Sequence, residues 1–197
     1  MPHARNDTIN WLPNHYYHLY NRGARQLTIF HKRDNYIFVL KKFQEITQKY
    51  DLSMIAYVLM PNHYHLLVRQ NGEVKAGLLP QMTFNSYAKA YNHVFEHSGT
   101  IFQGRFEARV VTDDAHLRHL CRYIHANPVK DGFVTRPEQW IYSNYLEWIG
   151  RRPGTLFDGQ FLVDYFESVA AYREFVDDYV MSMEESKTLG YLRRFDG

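Results

Sequence analysis

The sequence predicts an α+β fold, an antiparallel sheet with helices packed on one face, extended at its C-terminal end by further helices. Three observations carry this. Short aromatic-rich runs that alternate along the chain are interleaved with segments of helical period. Those segments succeed one another in the order β-α-β-β-α-β. Beyond about residue 136 only helical patterns are left.

The first strand is HYYHLYNR (15–22), ended by Gly23. A helix comes next over 34–50, with Ile37, Leu40, Phe43 and Ile46 at helical spacing and Asp34 as its N-cap. Residues 53–60 form the second strand, Pro61-Asn62 a tight turn, and 63–69 an antiparallel third strand. The segment 72–99 holds a long helix starting after Pro80 and closed by Gly99. IFQGRFEARVV (101–111) is the fourth strand. Thr112-Asp113-Asp114 caps a helix through LRHLCRYIHAN that stops before Pro128. Helices over about 136–149, 158–170 and 171–186 complete the chain. The strand and helix order is that of the ferredoxin-like (RRM-like) split βαβ arrangement, which leaves one sheet face for a ligand or for the later helices. That fold hosts many functions and does not settle the chemistry.

At 197 residues the chain suffices for one domain with a small appendage. Its net charge of +2 neither demands nor excludes a nucleic-acid partner. Much of the acid sits late, at Asp158, Asp164, Glu167, Glu174, Asp177, Asp178, Glu184 and Glu185, so the rest is more basic. The single cysteine, Cys121, rules out an intramolecular disulfide and fits a reducing compartment. MPHARNDTIN has no apolar signal region, and no run approaches the roughly 18 apolar residues that span a bilayer. The expected location is the cytoplasm, away from membranes.

Residues 60–68, MPNHYHLLV, set two histidines two positions apart in a strand. Such residues share a face, so His63 and His65 project together and Tyr64 projects oppositely. They are either ordinary strand histidines or two imidazole ligands waiting for a third. RYIHANPVKDG (122–132) offers one: Tyr123 and Asn127, four apart, share a helix face. In one reading Asn127 completes a His-His-Asn metal site with Tyr123 beside it as a nucleophile. In the other Tyr123 is core filler and Asn127 a helix C-cap.

Taken in order, five segments resemble the single-tyrosine transposases of the insertion-sequence-200 type, whose hallmark is a His-hydrophobic-His (HUH) strand. The details look closest to the REP-associated tyrosine transposases. The segments are HLYNRG (18–23), AYVLMPNH (56–63), FQGRF (102–106), RYIHANPVKDGFV (122–134) and WIYSNY (140–145). Any one is weak, but five in order are specific. The resemblance implies a catalytic domain over 1–150, followed by a helical extension over 151–197 that the five segments do not reach and whose role (gating the site, binding DNA or joining dimers) they leave open. It implies a metal-dependent single-stranded DNA endonuclease and strand transferase, acting beside hairpins through a covalent 5′-phosphotyrosine. Tyr123 would be the nucleophile, and His63, His65 and Asn127 the ligands of Mg²⁺ or Mn²⁺. A free phenol, with a pKa near 10, is a poor nucleophile, and a metal-bound phosphodiester is a better electrophile. The partner would be single-stranded DNA with palindromic hairpins, the active unit a monomer or a homodimer.

Phosphate contacts are expected from Gln103 and Arg105, which sit in a family segment, then from Arg22, Arg25, Arg109, Arg122 and Lys130, with Arg69 and Arg118 nearby. About half of these are equally read as solvated charges. Tyr16, Tyr20 or Tyr87 would stack bases if exposed. His18 is a candidate neighbour of the metal. His119 and His116 share the helix face of Tyr123, and His125 points elsewhere. Two other classes stand beside the enzyme: a catalytically silent hairpin-binding protein derived from a transposase, and a hydrolase using metal-bound water.

Overall fold

The computed structural model describes residues 9–192. Four strands form one antiparallel sheet: β1 (His15–Arg22), β2 (Leu52–Met60), β3 (His63–Gln70) and β4 (Glu107–Val111), in the spatial order β2-β3-β1-β4. With α1 (Arg33–Lys49) and α2 (Leu78–Val94) on one face, this is the expected split βαβ arrangement. Strand alternation sends Tyr17, Leu19, Tyr57, Leu59, Tyr64 and Leu66 into the core beneath those helices.

The opposite face is covered by the chain beyond β4. Helix α3 (Asp114–Lys130) lays Leu117, Leu120, Cys121 and Ile124 against Ala56, Val58 and Leu67. The short α4 (Tyr145–Trp148), α5 (Gly159–Phe166) and the long α6 (Val169–Leu192) close over it. Helix α6 packs along α3 through Ala126, Val129 and Val180. No helix among the described residues is long and apolar enough to cross a membrane.

Several boundaries differ from the sequence reading. Helix α1 starts one residue before Asp34, its N-cap being Lys32; Asn35 Oδ1 accepts from the amides of His31 and Lys32. Helix α2 begins two residues before Pro80, where a proline loses only an amide that has no helical partner. Helix α3 starts as expected, with Asp113 accepting from His116 N at 2.8 Å. It does not stop before Pro128. Proline in the last turn removes one ladder bond, and the end is rebuilt at Gly132 (φ +77°), where Phe133 N reaches Pro128 O and Gly132 N reaches Val129 O.

The helix expected over 136–149 is instead a 3-10 turn (Pro137–Gln139), an extended stretch and α4. The extended stretch covers the free edge of β2: Leu59 N donates to Tyr142 O at 2.9 Å, and Ser143 bridges Val58. Asn144 is the fastener. Its Oδ1 accepts from Tyr57 N and His125 Nε2, and its Nδ2 donates to Ile55 O and Leu156 O, all within 3.0 Å.

Candidate active site

Three histidines meet on the α3 side of the sheet. His63 and His65 come from β3, with ring centroids 5.3 Å apart. His18 comes from neighbouring β1, its Nε2 3.0 Å from His65 Nδ1. Tyr64, between the two β3 histidines, goes to the other face and stacks on Phe84 with centroids 4.0 Å apart. The strand periodicity therefore does what the sequence implies.

Helix α3 crosses above. Asn127 is buried, its Oδ1 3.0 Å from His63 Nε2. One turn earlier, the half-buried Tyr123 sets its ring edge-on to His65, with centroids 5.5 Å apart. Lys130, at the end of the same helix, lies 4.8 Å over the Tyr123 ring and donates to Tyr123 Oη at 3.4 Å. Asp131 places Oδ2 3.7 Å from His63 Nε2.

Burial shapes the charge state of the histidines. It pushes the pKa of His65 well below the ordinary value, and the crowding of the His18 and His63 imidazoles adds to the effect. It lowers His63 as well, opposed by the Asn127 contact and Asp131. His18 is driven down to about 3 by burial and Arg109. All three are neutral at pH 7, the state in which imidazole ligates metal.

The donor set fits a divalent cation. Each β3 histidine has its Nδ1 held by another side chain, His63 by Asn62 Oδ1 at 2.8 Å and His65 by His18. Such outer partners leave each Nε2 available to a cation. With Nδ1–H of His63 donating to Asn62, the Nε2 lone pair confronts the oxygen of Asn127, an arrangement a cation between them satisfies. Asn127 Nδ2 is buried without a hydrogen-bond partner among the described residues. Among the described residues no three His, Cys, Asp or Glu side chains are grouped to hold a metal, and the oxygen nearest His63 Nε2 is that of the Asn127 carboxamide, at 3.0 Å. Two nitrogens and one neutral oxygen suit Mn²⁺ and admit Mg²⁺.

The cleft over this set has a volume of about 500 Å³ and is lined by polar groups from β1, β3, α3 and the loop before β4. Of the residues expected to meet DNA, Arg22, Gln103, Arg105 and Lys130 line it. Arg109 lies just outside, its guanidinium 5.9 Å from the ring of Tyr20. Arg25 is exposed in a 3-10 turn, away from the cleft lining. Arg122 is turned to the far side of α3, 4.2 Å from the ring of Phe175 and 4.9 Å from that of Tyr179. Arg118 stacks on Phe166 and Phe175, and Arg69 donates to Asn14.

Of the tyrosines considered for stacking, Tyr87 is core, Tyr16 packs against Phe161, and Tyr20 lines the cleft. His119 sits between Arg122 and Tyr179, and His125 is buried against Asn144 and Tyr172. Sequence reasoning missed Asn62, Glu107 and Asp131 as neighbours of the site. Glu107, which accepts from Tyr20 Oη at 2.6 Å, was accessible as the next alternate position after Gln103 and Arg105.

Comparison with known proteins agrees with the fold. Residues 12–127 match the family model described as transposase, IS200-like. A curated protein of Haemophilus influenzae (strain ATCC 51907 / DSM 11121 / KW20 / Rd), named as a REP-associated tyrosine transposase, is 30% identical over 118 residues. That match covers 52% of this chain and 64% of the relative. The solved structure of a REP-associated tyrosine transposase bound to a REP hairpin superposes with a TM-score of 0.60 at 19% identity. It covers 80% of this chain and 94% of that one, and the likeness is one of fold.

Proposed function

Because the chain belongs to the IS200-like transposase family, we propose that it cuts and rejoins single-stranded DNA beside hairpins through a covalent bond to Tyr123. The observation that carries this is the convergence of Tyr123 with His63, His65 and Asn127 in one polar cleft. A nucleophile beside a cation-fitting donor set has no use in a protein that only binds.

His63 Nε2, His65 Nε2 and Asn127 Oδ1 would hold a divalent cation, which would supply Lewis-acid polarisation of the scissile phosphate. The remaining steps fall to the chain. Arg22, Arg105 and Lys130 draw the DNA backbone into the cleft. Tyr123 Oη attacks phosphorus as its proton passes to water, a phosphotyrosine bond forms at the 5′ side, and the P–O3′ bond breaks, the departing oxygen taking a proton from water to leave as a 3′-hydroxyl. The ammonium of Lys130, at 3.4 Å, stabilises negative charge on the phenolic oxygen as it is deprotonated. The new ester keeps the phosphodiester's energy, so another 3′-hydroxyl reverses the attack and joins a new strand. The likeness to a hairpin-bound relative supports DNA hairpins as the substrate class.

The reading is tested with 3′-end-labelled hairpin DNA carrying single-stranded flanks, incubated with Mn²⁺ or with chelator and run on a denaturing gel. Label that moves to protein mass only with Mn²⁺, intact Tyr123 and intact His63 is the expected result. Cleavage surviving in Tyr123→Phe would assign the chemistry to water. Tight binding without cleavage of any flank sequence would favour the silent hairpin-binding protein.

A further inference from the structure

On the other side of the FQGRF segment lies a second and larger cavity, of about 730 Å³, a size typical of small-ligand sites. It opens between α2 and residues 99–106. Its walls are the rings of Trp11, Tyr64, Phe84, Phe102 and Phe106. From this cavity we infer that the protein holds unpaired nucleobases of the same strand whose phosphate lies at Tyr123. The inference rests on the proposed DNA-cutting function and adds a base site that the metal and tyrosine do not require.

Continuity comes first. Asn21, Gly104 and Arg105 line both this cavity and the polar cleft, so a strand leaving one enters the other directly. Asn21 Nδ2 donates to Gly104 O at 3.0 Å and so fixes the partition between them. The partition sorts its side chains: Gln103 faces the polar cleft, Phe102 and Phe106 face the cavity, and Arg105 reaches both. Polar groups meet phosphates on one side, and flat apolar groups meet flat apolar ligands on the other.

Shape and edge chemistry come second. A planar base gains by stacking on aromatic faces irrespective of its identity. The walls are fixed rather than loose. Tyr64 and Phe84 are stacked on each other, with Phe102 edge-on to Phe84 at 5.3 Å. A β-carbon on Gly77 would meet the Trp11 ring at 2.9 Å and that of Phe106 at 3.1 Å, so these two rings close against bare backbone. Along the mouth, Gln81 and Asn85 stand one turn apart on α2, both exposed. Their amides offer donors and acceptors to base edges, as single-strand readers do. Lys75 and Arg105 at the rim bring positive charge to the phosphates between the bases. Tyr64 thus gives the residue between the two histidines its own task. One strand carries the metal ligands on one face and the floor of the base site on the other.

The test uses the whole chain and hairpin oligonucleotides in which 2-aminopurine replaces one flank base at a time. Its fluorescence drops when it stacks among aromatic rings. Quenching confined to one or two adjacent flank positions is expected. Asn85→Met, which narrows the mouth from an exposed position without adding a ring, should abolish that quenching and weaken DNA binding about ten-fold while Mn²⁺ binding stays unchanged. Gln81→Ala with Asn85→Ala, which leaves the walls intact, should keep the quenching but flatten the preference among bases. DNA that is bound and covalently captured with no position quenched, or quenching untouched by Asn85→Met, would overturn the base site and leave the proposed function standing. Position-specific quenching abolished by Asn85→Met, without any cleavage, would do the reverse.

Discussion

His65 Nδ1 and His18 Nε2 lie 3.0 Å apart, across the two central strands of the sheet. A neutral His18 accepts the His65 Nδ1 proton, which leaves the His65 Nε2 lone pair for the cleft. His18 therefore sets the tautomer and ring angle of a proposed metal ligand without touching the metal. His18→Ala should keep the fold and weaken Mn²⁺ binding by about ten-fold or more, as measured by calorimetry. Unchanged affinity would remove His18 from the site.

Lys130 contacts the oxygen that the proposal makes the nucleophile. Lys130→Ala should slow covalent capture at saturating DNA by about ten- to a hundred-fold, the range of a hydrogen bond to a charged group. Lys130→Arg should recover part of that rate. A loss confined to DNA affinity would make Lys130 a phosphate contact only.

Asn144 ties β2, α3 and the loop at Leu156 together through four buried hydrogen bonds. Asn144→Ala strands their partners. The cost should be at least about 3 kcal/mol in urea unfolding, since each buried unsatisfied group costs about 1–3 kcal/mol. Cooperative unfolding at wild-type urea concentration would contradict that role.

Acid should destabilise the protein through His125. Burial drives its pKa down to about 4, against 6.5 for the exposed residue. The folded state keeps it neutral, donating from Nε2 to Asn144 and accepting from Tyr172 at Nδ1. Between those two values the unfolded chain binds more protons than the folded one. Stability is therefore fully present above about pH 6.5 and falls as the pH drops toward 4, by up to about 3 kcal/mol from this residue. Urea midpoints at pH 7.5 and pH 5 should show the drop, and His125→Gln should show a smaller one.

The parts of the structure with a period were legible in the sequence. Alternation put His63 and His65 on one face, and the four-residue spacing put Tyr123 and Asn127 on another, facing them. The β-α-β-β-α-β order implied the sheet. Features without a period were not legible. Arg122 adjoins Tyr123 in the chain but points to α6, because adjacent helical residues diverge and Phe175 and Tyr179 supply aromatic faces there. The stretch 140–144 falls within a segment expected to be helix, yet its Trp140, Ile141 and Tyr142 favour extended backbone and the open edge of β2 holds it so. The His125–Asn144 contact joins residues 19 apart with no repeating relation. The aromatic cavity draws its five wall rings from four separate segments, so nothing local announces it.

The proposed function stands or falls on a covalent bond between Tyr123 and DNA, and that bond can be sought directly. The protein would be incubated with hairpin DNA and Mn²⁺, trimmed with nuclease, digested with trypsin and analysed by mass spectrometry. Trypsin releases Tyr123–Lys130 as one peptide. This peptide should gain the mass of a 5′-linked nucleotide on Tyr123, and His63→Ala should abolish the gain. Cleaved DNA with the peptide unmodified, or the nucleotide on another residue, would contradict the assignment of Tyr123 as nucleophile.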